Sequence, residues 1–175
     1  MSFELKINDL YWIKGVADDP ADLCLHGKVF VKIGDKVIDD GIEKDWAVSA
    51  GAYYMLKSVY SDHLTGSSEV LHPCCGHFMF IDEKTDALVI MDCPLGLDWS
   101  VKHEGCIVKL IVDEHTQIVI PLAEYKETVF EFADAIKSFY NACSPKVPTG
   151  EKFEVDGYQK FWEDWEKLRN GNIVV

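Results

Sequence analysis

The hydrophobic pattern changes period at Pro121, and this change constrains the fold more than any other feature of the sequence. Before it, the chain consists of short β-branched or aromatic runs separated by turn residues, a pattern typical of antiparallel strands. After it, apolar residues recur at helical spacing over 122–143 and again over 158–169. A strand meander followed by helices predicts an α+β fold, with a mainly antiparallel sheet and helices packed on one of its faces.

The strand region contains one clear hairpin signal and one early helix. Residues 23–33 alternate apolar and polar side chains before a Gly-Asp turn at 34–35, which predicts a hairpin. Residues 46–60 follow Asp45, a competent N-cap, and place their large apolar side chains at helical spacings, so we expect a helix there. The turn residues at 8–9 predict a break between two short strands.

Length and composition are typical of one globular domain. With 175 residues, 48% of them hydrophobic, such a chain buries about 70% of the surface that it exposes when unfolded. We therefore predict that residues 1–175 form a single domain. The N-terminus carries no basic segment followed by an apolar run, and no apolar stretch approaches the ~20 residues that span a bilayer. We expect a cytoplasmic protein with reduced cysteines and no membrane association.

The chain is strongly acidic, which bears on the kind of partner it binds. It has 30 Asp and Glu against 17 Lys and Arg, giving a net charge of −13, and Arg169 is its only arginine. Nucleic-acid backbones are bound by clustered Lys and Arg, and bidentate phosphate contacts require Arg. We therefore expect no direct nucleic-acid binding and favour a basic protein partner.

The predicted helix over 122–143 carries the most continuous acidic surface. At about 100° per residue, four carboxylates fall within an arc of about 80°, opposite the apolar side chains. They belong to Glu124, Glu127, Glu131 and Asp134. Like charges at these spacings destabilise a helix by a few tenths of a kcal/mol per pair. Two interpretations stay open, a solvated helix face and a surface that binds a basic partner.

A second acidic zone surrounds the predicted hairpin. Its candidate partner-binding residues are Asp39, Asp40 and Glu43. Aromatic side chains anchor many protein interfaces, but they also fill cores. Both interpretations stay open for Trp12, Trp46, Tyr53 and Tyr54.

Residues 72–77 contain ligand types that zinc prefers. They are His72, Cys74, Cys75 and His77. Three later residues could complete a set of four ligands, namely Cys93, His103 and Cys106. In a strand, however, successive side chains point to opposite faces, so the residues at 72 and 74 would face away from those at 75 and 77. We therefore expect buried cysteines, with no metal and no other cofactor.

A cysteine nucleophile is the enzymatic alternative for the same segment. It needs a thiol with a lowered pKa, usually at a helix N-terminus or beside a cation. None of the six cysteines begins a predicted helix. We therefore assign no catalytic residue and expect no enzyme, and a Cys/His metalloprotein or thiol enzyme is kept as the alternative function.

The C-terminal third resembles a class of small bacterial proteins. An F-x-x-x-I-x-x-F-Y pattern begins at Phe132 and an F-W-x-x-W pattern begins at Phe161. These helices are similar in kind to those of immunity proteins of contact-dependent inhibition and related polymorphic toxin systems. The resemblance implies a cytoplasmic protein that binds and neutralises one toxin domain, often a nuclease, and it implies no catalytic residue. Together with the acidity, it predicts an inhibitor of a basic toxin, with a general acidic interaction module as a further alternative.

Overall fold

The elements of the structure, a computed structural model, place this chain in the predicted α+β class, which is thereby confirmed. The structure describes residues 2–76, 78–93 and 95–172. Its elements in chain order are β1 (Phe3–Tyr11), β2 (His26–Ile33), β3 (Lys36–Asp40), α1 (Val48–Ser58), β4 (His72–Pro73), β5 (Phe78–Ile81), β6 (Leu88–Met91), β7 (Gly96–Leu97), β8 (Ser100–Glu104), β9 (Ile107–Ile111), β10 (Gln117–Pro121), α2 (Leu122–Ala142) and α3 (Lys152–Asn170).

The described strands are divided among four antiparallel sheets. The three-stranded sheets are β1-β2-β3 and β8-β9-β10, and the two-stranded ones pair β4 with β7 and β5 with β6. The predicted break at 8–9 is wrong, because β1 continues through it. The register shifts between Ile7 and Asp9, so Asn8 forms a bulge, and its amide donates a hydrogen bond to the carbonyl of Gly41 at 3.1 Å.

Each of the four sheets contacts a helix. α1 packs on α2, β2 and β4, α2 packs on β1, β9 and β10, and α3 packs on β5 and β6. Gly157 permits a close approach of α3, since a Cβ there would lie 2.3 Å from the carbonyl oxygen of Met79. Buried side chains of all three helices and both three-stranded sheets join in one hydrophobic core.

The two patterns that carry the family resemblance are packing motifs in this structure. α2 buries Phe132 and Tyr140, and α3 buries Phe161 and Trp165. The rings of Tyr140 and Trp162 meet edge to face with their centroids 4.9 Å apart. These aromatic contacts join α2 to α3.

The starts of α1 and α3 differ from the prediction. Ala47 occupies the N-cap of α1 and makes no side-chain cap, so Asp45 does not cap this helix. α3 begins at Lys152, six residues before the predicted start at 158. The extension arises because Glu151 and Glu154 form a capping box, in which each side chain binds the backbone N–H of the other.

Candidate partner-binding surface and thiol cluster

The glutamates predicted to line α2 are exposed. Glu124, Glu127 and Glu131 lie on the face of α2 opposite its buried side chains. Within the described part of the chain, their carboxylates make no ion pair or hydrogen bond. Glu124 and Glu131 are seven positions apart, which corresponds to about 10 Å along the helix axis. This face therefore presents three uncompensated negative charges in a row.

The fourth carboxylate of that face is compensated. Arg169 of α3 donates two hydrogen bonds to Asp134, from Nε to Oδ1 at 2.7 Å and from Nη2 to Oδ2 at 2.8 Å. Its guanidinium carbon also lies 4.1 Å from the ring centroid of Phe130. The hydrogen bond with Asp134 raises the pKa of Arg169. The prediction of a single-sign surface over all four residues is therefore wrong at Asp134, because α3 supplies a cation that the pattern of α2 alone does not reveal.

The three acidic residues predicted around the hairpin have different environments. Asp39 is only 4% exposed, and it accepts hydrogen bonds from the indole Nε1 of Trp46 at 3.1 Å and from the backbone N–H of Gly41 at 2.8 Å. Its carboxylate joins the end of β3 to Trp46 and is not part of the surface. Asp40 and Glu43 are exposed as predicted.

Exposed apolar side chains accompany the two surface carboxylates of the hairpin. Val37 is 48% exposed and Ile42 is 65% exposed. A shallow groove of about 230 Å³ is lined by Val37, Asp40 and Glu43 among others. The groove therefore combines the exposed apolar side chain of Val37 with the two exposed carboxylates and with Lys44, which also lines it.

The sequence left open whether four aromatic residues anchor an interface or fill the core, and the core interpretation is confirmed. All four are buried, with exposures of 0% for Trp12, 8% for Trp46, 5% for Tyr53 and 4% for Tyr54. The Tyr54 hydroxyl donates a hydrogen bond to Oδ2 of Asp92 at 2.8 Å. Their hydrophobic area therefore stabilises the fold and does not anchor a partner.

Three cysteines form a cluster beside β4 and β6. The Sγ atoms of Cys74, Cys75 and Cys93 all lie within 4.8 Å of one another, and the sulfurs of Cys75 and Cys93 are 3.0 Å apart. The prediction that Cys74 and Cys75 face away from each other is wrong, because β4 ends at Pro73 and strand alternation does not extend to them. His77 lies outside the described residues.

The three thiols influence one another's proton affinity. Hydrogen bonds from Cys75 and Cys74 lower the pKa of Cys93. The hydrogen bond to Cys93 and then burial raise the pKa of Cys75 to about 12. The same two causes raise the pKa of Cys74. Cys93 is therefore the thiol of this cluster that ionises most readily.

His72 does not join the cysteine cluster. It is fully buried, with its ring centroid 5.7 Å from that of Trp99 and 5.5 Å from that of Phe132. Among the residues that the structure describes, neither ring nitrogen has a hydrogen-bond partner, and burial lowers the pKa of His72 to about 3. The ring is therefore neutral in the folded protein and part of the core.

The other two candidate ligands are also separate from the cluster. The Nδ1 atom of His103 lies 3.1 Å from Oδ1 of Asp62, and its Nε2 lies 3.2 Å from the carbonyl oxygen of Val59. Cys106 is exposed. Of the three proposed additional ligands, only Cys93 lies with Cys74 and Cys75.

A cleft of about 420 Å³ lies between the loop after β1, β5 and the start of α3. Its carboxylates are engaged in structural contacts. Asp19 pairs with Lys14 at 2.8 Å, Asp22 accepts a hydrogen bond from the backbone N–H of Ile13 at 2.9 Å, and Glu154 belongs to the capping box of α3. The acidic side chains of this cleft therefore serve the fold, in contrast to the glutamates of α2.

No protein-family model matches the chain, and neither a curated protein nor a solved structure matches it. The resemblance to immunity proteins therefore depends on the two packing motifs of α2 and α3. Among the described residues, no helix combines the length and apolar character needed to cross a bilayer.

Proposed function

We propose that this protein is an immunity-type inhibitor that binds a basic toxin domain through carboxylates on α2 and on the β2–β3 hairpin. One observation carries the proposal. Glu124, Glu127 and Glu131 are exposed on one face of a 21-residue helix and have no cationic partner within the described residues. Their mutual repulsion is relieved when a basic surface approaches.

The lysines of α2 support this interpretation because they are used elsewhere. The Nζ atom of Lys126 lies 5.0 Å from the ring centroid of Phe130. Lys137 pairs with Glu166 at 3.3 Å and lies over the ring of Trp162. Both cations therefore contact groups other than the glutamates, which leaves the acidic face uncompensated.

The hairpin supplies the apolar part of the proposed interface. Protein interfaces combine an apolar centre with a polar rim, and Val37 and Ile42 expose apolar area beside Asp40 and Glu43. We propose that these two carboxylates bind basic side chains of the toxin while the apolar pair packs against it. Asp39 is excluded from this role because it is buried.

The charge of the chain supports one class of toxin as the target. Enzymes that act on RNA or DNA bind phosphates with Lys and Arg, so an acidic protein can occupy the same surface. A net charge of −13 also steers encounter with a basic partner, for which association rates of roughly 10⁸ M⁻¹s⁻¹ are typical at low salt. We therefore propose a nuclease domain as the target.

The proposal predicts that a toxin domain is encoded beside the gene for this protein, and the test uses that domain. Both are expressed in one host and growth is followed, and the affinity of the purified pair is measured by calorimetry at low and at physiological ionic strength. The Glu124→Lys, Glu127→Lys and Glu131→Lys triple variant is expected to abolish protection and to weaken binding at least roughly 10-fold, or 1.4 kcal/mol.

A matched control changes the net charge equally at other sites. Glu83, Glu104 and Glu163 are exposed and make no ion pair within the described residues, so their replacement by lysine is expected to slow association while preserving protection. Equal weakening by both triple variants would show that only bulk charge matters. Full protection by the α2 variant would reject the proposed surface.

A further inference from the structure

The three clustered cysteines lie where one antiparallel ladder is interrupted. His72 of β4 pairs with Leu97 of β7, and Phe78 of β5 pairs with Met91 of β6. Both ladders have the same register, so the described residues 74–76 lie between them together with 92 and 93. The backbone N–H of Cys74 still donates to the carbonyl of Leu95 at 3.3 Å, as this register requires. The cysteines are therefore brought together by the strand pairing on either side of the interruption.

The backbone around the interruption between the two ladders is anchored at several points. Asp92, which precedes Cys93, accepts the hydrogen bond from Tyr54 of α1. Gly76 packs on α1, where an added Cβ would lie 2.8 Å from the Cβ of Ala50. Gly96 lies against β4, with an added Cβ 2.5 Å from the carbonyl oxygen of His72. Because both segments are fixed, the positions of the three thiols are set by the fold.

The spacing of the sulfurs matches the dimensions of a metal–thiolate site. A Zn–S bond of about 2.3 Å places two sulfurs of a tetrahedral site about 3.8 Å apart. The sulfurs of Cys75 and Cys93 are 3.0 Å apart, and those of all three cysteines lie within 4.8 Å. Small side-chain rotations are enough to bring them to the required distances. We propose that Cys74, Cys75 and Cys93 form a three-thiolate site for a thiophilic cation, Zn²⁺ or Cu⁺.

A structural cysteine of the same chain provides a contrast. Cys24 is fully buried in the core, and its sulfur accepts a hydrogen bond from the hydroxyl of Ser49 at 3.7 Å. It behaves as a small apolar side chain. Cys74, Cys75 and Cys93 are only partly buried, so a cation can reach them from solvent.

Metal binding at the cluster is coupled to loss of the thiol protons. In the free protein the three sulfurs hydrogen-bond with one another, which raises the pKa of Cys74 and Cys75 and lowers that of Cys93, and a metal must displace each proton that a thiol still holds. On binding, each S–H bond is replaced by a sulfur–metal bond and its proton passes to solvent, without any oxidation or reduction. The cation then compensates part of the negative charge of the three thiolates.

Zn²⁺ and Cu⁺ are each suited to a three-cysteine site for a different reason. Zn²⁺ prefers four ligands in a tetrahedron, so three cysteines leave one position for water or another small ligand. Soft thiolates also select Cu⁺. Both ions share the same chemistry at this site, and the experiment distinguishes them.

The test is a titration of the reduced, chelator-treated full chain under anaerobic conditions. Zn²⁺ binding is measured by calorimetry, Co²⁺ is used as a spectroscopic substitute, and Cu⁺ is titrated in competition with a chromogenic chelator. We expect one ion per chain, a near-ultraviolet sulfur-to-cobalt charge-transfer band that Zn²⁺ removes, and release of protons into a weakly buffered solution. A one-to-one complex with Cu⁺ alone would assign the site to that ion.

Single serine variants locate the site. Cys74→Ser, Cys75→Ser and Cys93→Ser are each expected to weaken binding by more than the roughly 10- to 100-fold that loss of an outer-shell partner costs. Cys106→Ser is the matched control, because Cys106 is exposed and lies apart from the cluster, and it is expected to bind normally. Circular dichroism and the melting temperature without metal verify that each variant is folded.

Three results would overturn the proposal. The first is that neither Zn²⁺ nor Cu⁺ forms a one-to-one complex with the reduced chain. The second is unchanged affinity in folded Cys93→Ser. The third is a rise in melting temperature with Zn²⁺ that is equal in the wild type and in Cys93→Ser, since specific binding stabilises only a chain that holds the site. This inference does not depend on the proposed toxin-binding surface.

Discussion

The α2–α3 layer and the segment from β4 to β7 differ in how completely their polar groups are satisfied. In the helical layer, aromatic rings interlock and Arg169 pairs with Asp134. In the other segment, ladders are two to four residues long, and His72 has two nitrogens without partners. Native folds satisfy nearly all buried polar groups, and exceptions are concentrated at functional sites. Among the described residues, the segment from β4 to β7 therefore contains buried nitrogens without partners that the α2–α3 layer does not, and further such nitrogens occur at Trp12 and His26 outside both regions.

The largest expected effect is in the helical layer. Phe161 is fully buried and its ring contacts those of Tyr53 and Trp165. Phe161→Ala leaves a cavity, so we expect the free energy of unfolding to fall by about 3–5 kcal/mol, measured by urea denaturation. Phe153→Ala is the control, since Phe153 is 46% exposed, and it is expected to cost much less. Similar losses for both would show that the layer is loosely packed.

His72 makes the segment from β4 to β7 sensitive to acid. Its folded-state pKa of about 3 lies below the usual value of about 6.5, so the unfolded chain takes up the proton first as the pH falls. The stability that the neutral ring contributes is complete above pH ~6.5 and is lost toward pH ~3. We expect a loss of roughly 2 kcal/mol between pH ~7 and pH ~5, measured by urea denaturation with chelator present.

Two histidine variants isolate this pH dependence. His72→Leu removes the titrating group and is expected to abolish that loss. His115→Leu is the control, because the His115 side chain is 86% exposed, and it should keep the wild-type dependence. An unchanged slope in folded His72→Leu would assign the acid sensitivity to other groups.

A substitution at Gly157 tests the contact between the α2–α3 layer and the segment from β4 to β7. In Gly157→Ala the new Cβ meets the carbonyl oxygen of Met79, and such overpacking costs about 1–3 kcal/mol. Alanine also favours a helix over glycine by about 1 kcal/mol, so we expect a net loss of about 1 kcal/mol in thermal or urea unfolding. Glu163→Ala, at an exposed position of the same helix, should be neutral or stabilising. A stabilised Gly157→Ala variant would show that α3 moves away from β5 easily.

The smallest expected effect is at the surface of the helical layer. The Arg169 and Asp134 side chains are 34% and 51% exposed, and exposed ion pairs contribute about 0.2–1 kcal/mol. Arg169→Ala is expected to lower the free energy of unfolding by about 0.5 kcal/mol, with a smaller loss at high salt. It also frees Asp134 and extends the acidic face of α2. Toxin binding that strengthens in this variant would support that face as the interface, whereas binding that weakens would assign Arg169 to the contact.

The helical layer could be predicted well because its signals are local. The predicted helix over 122–143 ends one residue beyond α2, since apolar periodicity and the flanking prolines at 121 and 145 determine both ends. The start of α3 was missed because Glu151 is an unusual N-cap residue, and its capping box with Glu154 extends the helix beyond the apolar pattern. The exposure of the α2 glutamates followed from the same periodicity.

The cysteine cluster could not be predicted from strand alternation. Cys75 and Cys93 are 18 positions apart, and they meet because the ladders on both sides share one register. A pattern within a single strand contains no information about register between two strands. The available signal was the turn at 82–86, because extending the hairpin outward from it places 76, the neighbour of Cys75, opposite Cys93.

The close contact of α3 with β5 also has a consequence for folding during synthesis. Met79 and Gly157 are separated by 78 positions, and translation at about 5–20 residues per second needs several seconds to cover them. During that interval β5 and β6 have emerged, yet the helix that covers them has not been made. The nascent chain therefore exposes an apolar hairpin until α3 leaves the ribosome, and a truncation before α3 is expected to direct the chain to chaperones or to aggregation.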